Sequence, residues 1–439
     1  MKYIFILFLM VTSYSISAHE WHELTPVTSK DLTCVSAVND SVAWFCGKDG
    51  TLLFTTDGGN SLKNRTGNNT IGNFDLVSIF ALNADTVFCT ASPETDNINH
   101  ITTTSVFRTT DRGQSWTKVF SQTGGFVNGI FMFDDSNGVL YGNPVNGRWS
   151  VWRTSDGGIT WDSAGVKIPA PAISESGRPN AFFADAVSKT FIFGANNGSF
   201  YTSHDLGKSW SVITIPVVND IYCITFSDSA NGMVGGNGLI KTQNGGTSWK
   251  NITELALGHG PITAILVHDF WHYFLIRQST AEFPEYRIYH TGSFGDNSWD
   301  TSYIAPDKKP YLFLSEARKG GYVYGLRQGG GITVGIHSDE PVTNISDFNS
   351  NPLTYYLKSN YPNPFNPSTI IAYSIAKEGF VSLKVFNSIG QEVAILVNER
   401  QAAGMHQIAF RAGSLPSGIY FYSLESEGFK QVKKMILMK

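Results

Sequence analysis

The sequence predicts an all-β chain: seven small antiparallel sheets closed into a ring, followed by a small C-terminal β-sandwich. Three observations carry this. One eight-residue phrase returns along most of the chain, sets of short apolar strands lie between its copies, and the composition changes abruptly near residue 338.

The phrase reads Thr154-Ser-Asp-Gly-Gly-Ile-Thr-Trp161. It recurs as Thr109-Thr-Asp-Arg-Gly-Gln-Ser-Trp116, as Ser203-His-Asp-Leu-Gly-Lys-Ser-Trp210 and, with Asn for Asp, as Thr242-Gln-Asn-Gly-Gly-Thr-Ser-Trp249. A copy carrying Asp57 and Gly59 ends at Leu62, and a decayed one ends at Trp299. Their final residues (62, 116, 161, 210, 249 and 299) are spaced as a repeat array of sheets would be. Asp57, Asp111, Asp156, Asp205 and Asn244 are expected to accept hydrogen bonds from amides one and two residues on. Gly supplies the positive φ of a tight hairpin. Trp116, Trp161, Trp210 and Trp249 then enter the next strand and bury a ring between neighbouring sheets. The phrase is a hairpin clasp.

The pattern S/T-x-D-x-G-x-x-W resembles the Asp-box, or BNR, repeat of sialidase-like, sortilin-like and photosystem-assembly β-propellers. That resemblance implies that the clasps are structural and lie on the face away from the ligand.

Only 15% of the 439 residues are charged and the net charge is −4, which points away from a nucleic-acid surface. Aromatics at 13% and 43 glycines suit short strands joined by many turns. Lys2, the apolar run 3–11 and the small and polar residues 13–18 have the character of a secretory signal peptide covering residues 1–18. No segment is long and apolar enough to read as a membrane-spanning helix. Cys34 and Cys46 are equidistant from the turn at Asp40, so they face each other as a cross-strand bridge or as two buried thiols. Cys89 and Cys223 read as core.

Each repeat opens with an apolar strand, at 32–38, 76–82, 127–133, 181–187, 221–226, 262–268 and 311–317. The seventh set lacks a clasp and a final strand. Trp21-His-Glu-Leu24 has the look of Trp116-Thr-Lys-Val119, so the beginning of the mature chain is expected to close the ring beside residues 331–336. The ring therefore spans residues 19–338, and the polar, punctuated stretch 339–357 is a linker.

The tail, residues 358–439, carries Asn360-Tyr-Pro-Asn-Pro-Phe-Asn-Pro-Ser-Thr369, Asn387-Ser-Ile-Gly-Gln-Glu-Val393, Ser417-Gly-Ile-Tyr-Phe-Tyr422 and Lys433-Lys-Met-Ile-Leu437. It resembles the type A C-terminal sorting domain of the type IX secretion system. That implies a Gram-negative cell of the Bacteroidota type, with the secretion machinery as partner. It also implies residence outside the cell or on the outer-membrane surface once signal peptide and sorting domain are removed.

Ligands of such a ring are expected on the face opposite the clasps, where the longer loops bring Asp96, His100, Glu282 and Glu285 together with the candidate ligand-binding residues Asn143, Arg148, Trp149, Glu175, Arg178 and Arg287. The segment Gly142-Asn-Pro-Val-Asn-Gly-Arg-Trp149 resembles a G-D-P-V-x-G-R-F element of bacterial BNR propellers, with Asn143 in the acidic place. Arg148, Arg178 and Arg287 could imitate the carboxylate clamp of a sialidase-like exo-glycosidase. No acid/base pair can be assigned by motif, so no catalytic residue is expected. His19, His22, His268 and His272 form no ligand set, and neither metal nor cofactor is expected. The reading is a secreted or surface module that binds a glycan or a protein, with the glycosidase as the alternative.

Overall fold

The computed structural model describes residues 19–337, apart from 67–69, 73, 97–100, 216–218, 256–257, 269–271, 293–294 and 296–298. It also describes 355–438, apart from 358–359, 361–364, 366, 376, 402–403 and 414. The expected signal peptide, most of the expected linker and His100 lie outside the described residues. The chain divides into two compact units near residue 341.

Among the described residues the first unit is built of seven antiparallel sheets. Their first strands are Leu32–Ala37, Leu76–Ala81, Val127–Met132, Gly177–Asp185, Ile221–Phe226, Ile262–Val267 and Tyr311–Glu316. Each contacts the next, and the last returns to the first, so they surround a common axis. Their near-continuous apolar runs follow from this position, because both faces of an innermost strand are covered.

Closure uses the two ends of the unit. His19–Leu24 is the outer strand of the seventh sheet and pairs antiparallel with Ile332–His337, Trp21 opposite Gly335 and Glu23 opposite Thr333. Trp21 packs edge-on against Phe274 of the sixth sheet at 5.6 Å. Trp161 does the same to Phe88 of the second sheet, at 6.4 Å. The missing clasp tryptophan of the last sheet is thus delivered by the other end of the chain.

The seam is also polar. Arg327, 3% exposed, forms ion pairs with Glu23 and with Asp307. Glu23 also accepts hydrogen bonds from the Thr333 hydroxyl (2.8 Å) and the Tyr303 hydroxyl (3.1 Å).

Inside each clasp the bonds differ from the expected ones. The Asp156 carboxylate reaches four residues forward: Oδ1 accepts the Thr160 amide at 3.0 Å and Oδ2 the Thr160 hydroxyl at 2.6 Å. Thr154 Oγ1 donates to Asp156 Oδ1 at 2.8 Å and accepts the Gly158 amide at 2.9 Å. Asp57, Asp111 and Asp205 repeat this set. Asn244 keeps it by donating to the Ser248 hydroxyl through Nδ2 at 2.8 Å. The clasp also ties to the turn between strands one and two of its own sheet, as when Gly157 donates to the Ser136 carbonyl at 2.9 Å.

The hydroxyl of Thr160, then its amide, hold the Asp156 carboxyl down to about 2. Asp111 is lowered in the same way by the hydroxyl and amide of Ser115. An unfolded carboxyl titrates near 3.9, so these groups stabilise the fold fully above about pH 4 and lose that contribution as pH falls toward 2. Asn at both positions should therefore flatten the acid limb of the stability curve. Melting temperatures at pH 5 and pH 2.5 check this: the double variant Asp111→Asn, Asp156→Asn should lose less on acidification than the parent. An equal loss would show that the clasp carboxylates carry no linkage.

Among the described residues the third sheet has three strands where the other six have four. Beyond Arg148–Thr154 only an isolated bridge joins Arg153 to Asp162. Gly165, Pro169 and Pro171 lie just beyond it, and prolines cannot supply the amides of a ladder. Cys34 and Cys46 do face each other across the first hairpin, as two buried free thiols. Burial pushes the Cys34 thiol up to about 12 and Cys46 well above its usual value.

The second unit packs a three-stranded sheet (Tyr356–Leu357, Ser368–Ile375, Gly404–Arg411) against a four-stranded one (Gly379–Asn387, Glu392–Gln401, Gly418–Ser426, Phe429–Leu437). Their shared core includes Phe365, Ile371, Val385, Tyr422 and Met435. The tail motifs meet one another here. The Asn360 amide donates to the Tyr422 hydroxyl at 2.7 Å, and Asn360 Nδ2 donates to Thr369 Oγ1 at 3.0 Å. Asn387 Oδ1 closes the next hairpin by accepting the amides of Ile389 (3.1 Å) and Gln391 (2.9 Å).

Candidate functional site

The seven first strands enclose a cavity of about 720 Å³ on the axis. Its walls are mostly aliphatic and aromatic. Polar groups gather at its two ends, because the middle of each strand packs against neighbours on both sides while strand ends carry loops.

At the end away from the clasps the fourth sheet supplies the dominant feature. The pairing of Gly177–Asp185 with Thr190–Ala195 shifts register between Gly177 and Phe182. The extra residues Arg178-Pro-Asn180 stand out of the ladder, where the missing amide of Pro179 costs nothing. Asn180 takes φ +58° and reaches across the axis. Its Nδ2 donates to the Val77 carbonyl of the second sheet at 3.0 Å, and its Oδ1 lies 3.7 Å from Cys34 Sγ of the first. This strut was not foreseen from the sequence, where nothing singles out Asn180.

Arg178 sits beside the strut on the cavity wall. Nε and Nη2 donate to the two Asp220 oxygens at 3.0 and 2.5 Å, and the guanidinium lies 5.0 Å from the Tyr222 ring centre. Lys48 and Asp75 line the same cavity from the first and second sheets. The rim thus presents both signs of charge around an apolar opening.

The other candidate ligand-binding residues, Asn143, Arg148, Trp149, Glu175 and Arg287, do not line this cavity. Asn143 is occupied within the fold: its Oδ1 accepts from Asn128 Nδ2 at 2.8 Å and from the Gly177 amide at 3.0 Å. Trp149 is 5% exposed and wedged against Phe193 (4.9 Å) and Tyr201 (5.1 Å), so it fills the space between the third and fourth sheets. Glu175, 6% exposed, accepts the Ala172 amide at 2.6 Å and the Tyr201 hydroxyl at 3.0 Å. Burial pushes Tyr201 up to about 12.

Arg148 is exposed at the start of its strand. Arg287 donates to Glu285 Oε1 at 3.2 Å, and Glu285 Oε2 accepts the Tyr289 hydroxyl at 2.7 Å. Of the three arginines only Arg178 lines the cavity, and it already holds a carboxylate of its own chain. The clamp that the alternative glycosidase reading would need is not assembled in this cavity. Among the described residues no three His, Cys, Asp or Glu side chains are placed to hold a metal ion, and no helix is long and apolar enough to cross a membrane.

Residues 359–438 match the family of secretion system C-terminal sorting domains. The tail is a sorting domain. With its type IX motifs, that sorting domain marks the protein for export by the type IX system, to the cell surface or beyond. No curated protein matches the chain.

Among solved structures the chain is similar to YCF48 bound to D1 peptide, with 14% identity and a TM-score of 0.57 over 73% of this chain and 96% of that one. It is also similar to YCF48 from Cyanidioschyzon merolae, with 15% identity and a TM-score of 0.51 over 72% and 98%. The WD40 β-propeller domain of Doa1 matches at 12% identity and a TM-score of 0.47, over 74% and 98% of the two chains. The two YCF48 likenesses, with the seven sheets around one axis, show the fold: the exported ring is a β-propeller.

Proposed function

We propose that the exported propeller is a binding module that meets a glycan or protein ligand on the face opposite its clasps, at the rim formed by Arg178, Asp220, Tyr222, Lys48 and Asp75. The observation that carries this reading is the axial cavity itself, open beside a bidentate ion pair that projects an aromatic ring and both charges around an apolar mouth. Such convergence of a few polar groups on an apolar concavity is the usual form of a recognition site. A protein segment as ligand is supported by the likeness to YCF48, whose solved structure is bound to D1 peptide. Neighbouring glycosidase chemistry has no support from an arginine clamp.

The test is a glycan array and a cell-surface protein capture with the full chain and with Tyr222→Ala, alongside a fluorogenic sialoside and glycoside panel. Binding that falls ten-fold or more in Tyr222→Ala, without turnover of any glycoside, is expected; ring contacts of this kind are worth about 1–3 kcal/mol. Turnover, or binding indifferent to Tyr222, would overturn the reading.

A further inference from the structure

The cavity has a second end, on the clasp side, that the rim ligand does not use. Between the two ends, six of the seven sheets contribute an aliphatic residue to the lining: Val35, Ile79, Ile130, Ile224, Ile265 and Leu314. These side chains offer no hydrogen bonds, which disfavours a sugar and suits a hydrocarbon body.

The clasp end is floored by Arg318. This residue follows the first strand of the seventh sheet and reaches beneath the first two. Its amide donates to the Ala37 carbonyl at 3.0 Å. Nη1 donates to Ser36 Oγ at 3.4 Å, Nη2 donates to the carbonyls of Ala81 and Leu82, and the guanidinium lies 4.6 Å from the Phe80 ring centre. Every one of these partners is neutral. Glu316, two residues earlier, is engaged with His268 Nδ1 at 2.7 Å, across the boundary with the sixth sheet. The residue is exposed on the clasp face, yet its guanidinium is tucked against ring and carbonyls, and desolvation without an acidic neighbour holds it down to about 10.

A cation held by neutral groups at the end of an aliphatic cavity lacks a counter-charge. Arginine is the side chain best suited to supply parallel N–H donors to a carboxylate or sulfonate. We propose that the axial cavity binds a small amphipathic anion, an acyl or aryl carboxylate or sulfonate, with its head at Arg318 and Ser36 and its apolar body along the axis. This site shares the cavity with the rim reading but uses its opposite end and takes a different class of molecule.

The experiment is a fluorescence titration of the full chain with 1-anilinonaphthalene-8-sulfonate, followed by competition with octanoate and with octanol. Saturable binding at one site is expected, with octanoate displacing the dye at ten- to hundredfold lower concentration than octanol, the margin of a charge-assisted hydrogen bond. Arg318→Gln should erase that margin and Arg318→Lys should keep most of it. Ile130→Trp, which fills the cavity, should abolish dye binding. Melting temperature is read first for every variant, because the dye also reports loosened folds. If Ile130→Trp fails to fold, Ile265→Phe takes its place, and the octanoate–octanol comparison on the parent protein needs no variant. Absence of saturable binding, equal competition by octanoate and octanol, or unaltered binding in the filled cavity would overturn the proposal.

Discussion

Arg327→Ala is expected to lower the unfolding free energy of the propeller by about 3–5 kcal/mol, the range found when one partner of a buried ion pair is removed. The side chain is 3% exposed and stands between Glu23 of the closing strand and Asp307 of the link before the seventh sheet. Removing it leaves two carboxylates facing each other with no cation between them. Glu23 would keep only its neutral donors, Thr333 and Tyr303. The closing strand is the one outer strand not joined by a hairpin to its own sheet, so its docking depends on contacts across the seam rather than on a short loop. Urea denaturation of Arg327→Ala, Glu23→Gln and the double variant measures the coupling. A coupling of more than about 1 kcal/mol is expected, together with a lower midpoint in both single variants. A loss below about 1 kcal/mol in Arg327→Ala would mean that strand pairing and Trp21 alone hold the ring shut.

Much of this architecture was legible because a tight hairpin leaves a local signature. Asp, Gly and Trp stand within eight residues of one another in the clasps, so turn chemistry alone located five of them, and the same phrase cut in two led to Trp21 as the closing tryptophan. What depended on distant pairing was not legible. Arg178 meets Asp220 from 42 residues away, and Asn180 reaches Val77 from 103 residues away; no window of sequence contains either pair. Trp149 was misread as a loop aromatic because the strand Arg148–Thr154 begins one residue before it, which turns its ring inward. The third sheet lost its fourth strand for a reason visible only in hindsight: the clasp at Asp156 is intact, but the prolines after it forbid a long ladder. The tail joins both cases: Asn360 bonds Thr369 within one motif, 9 residues on, and Tyr422 of another motif, 62 residues on.

Gly158→Ala is expected to be the most damaging single methyl group added to a clasp, at about 2–5 kcal/mol, from two separable causes. The first is backbone. Gly158 has φ +75°, and placing an L side chain in that left-handed region costs about 1–2 kcal/mol. The second is packing. A Cβ at this position would lie 2.3 Å from Cε1 of Phe88, a fully buried ring of the preceding sheet, and 3.3 Å from the Trp161 ring. Phe88 cannot withdraw, because Trp161 stands edge-on against it at 6.4 Å, so the clash must be relieved by separating two sheets. Overpacking of this kind costs about 1–3 kcal/mol. Gly147 isolates the first cause: its φ is +74°, but a Cβ there would meet no atom within 4 Å. Gly147→Ala should therefore lose only about 1–2 kcal/mol, the backbone cost alone. Chemical denaturation of both variants reads the difference directly. Equal losses would show that the clasp glycine serves the turn and not the approach of the neighbouring ring, and the interlocking of sheets through these rings would have to be abandoned.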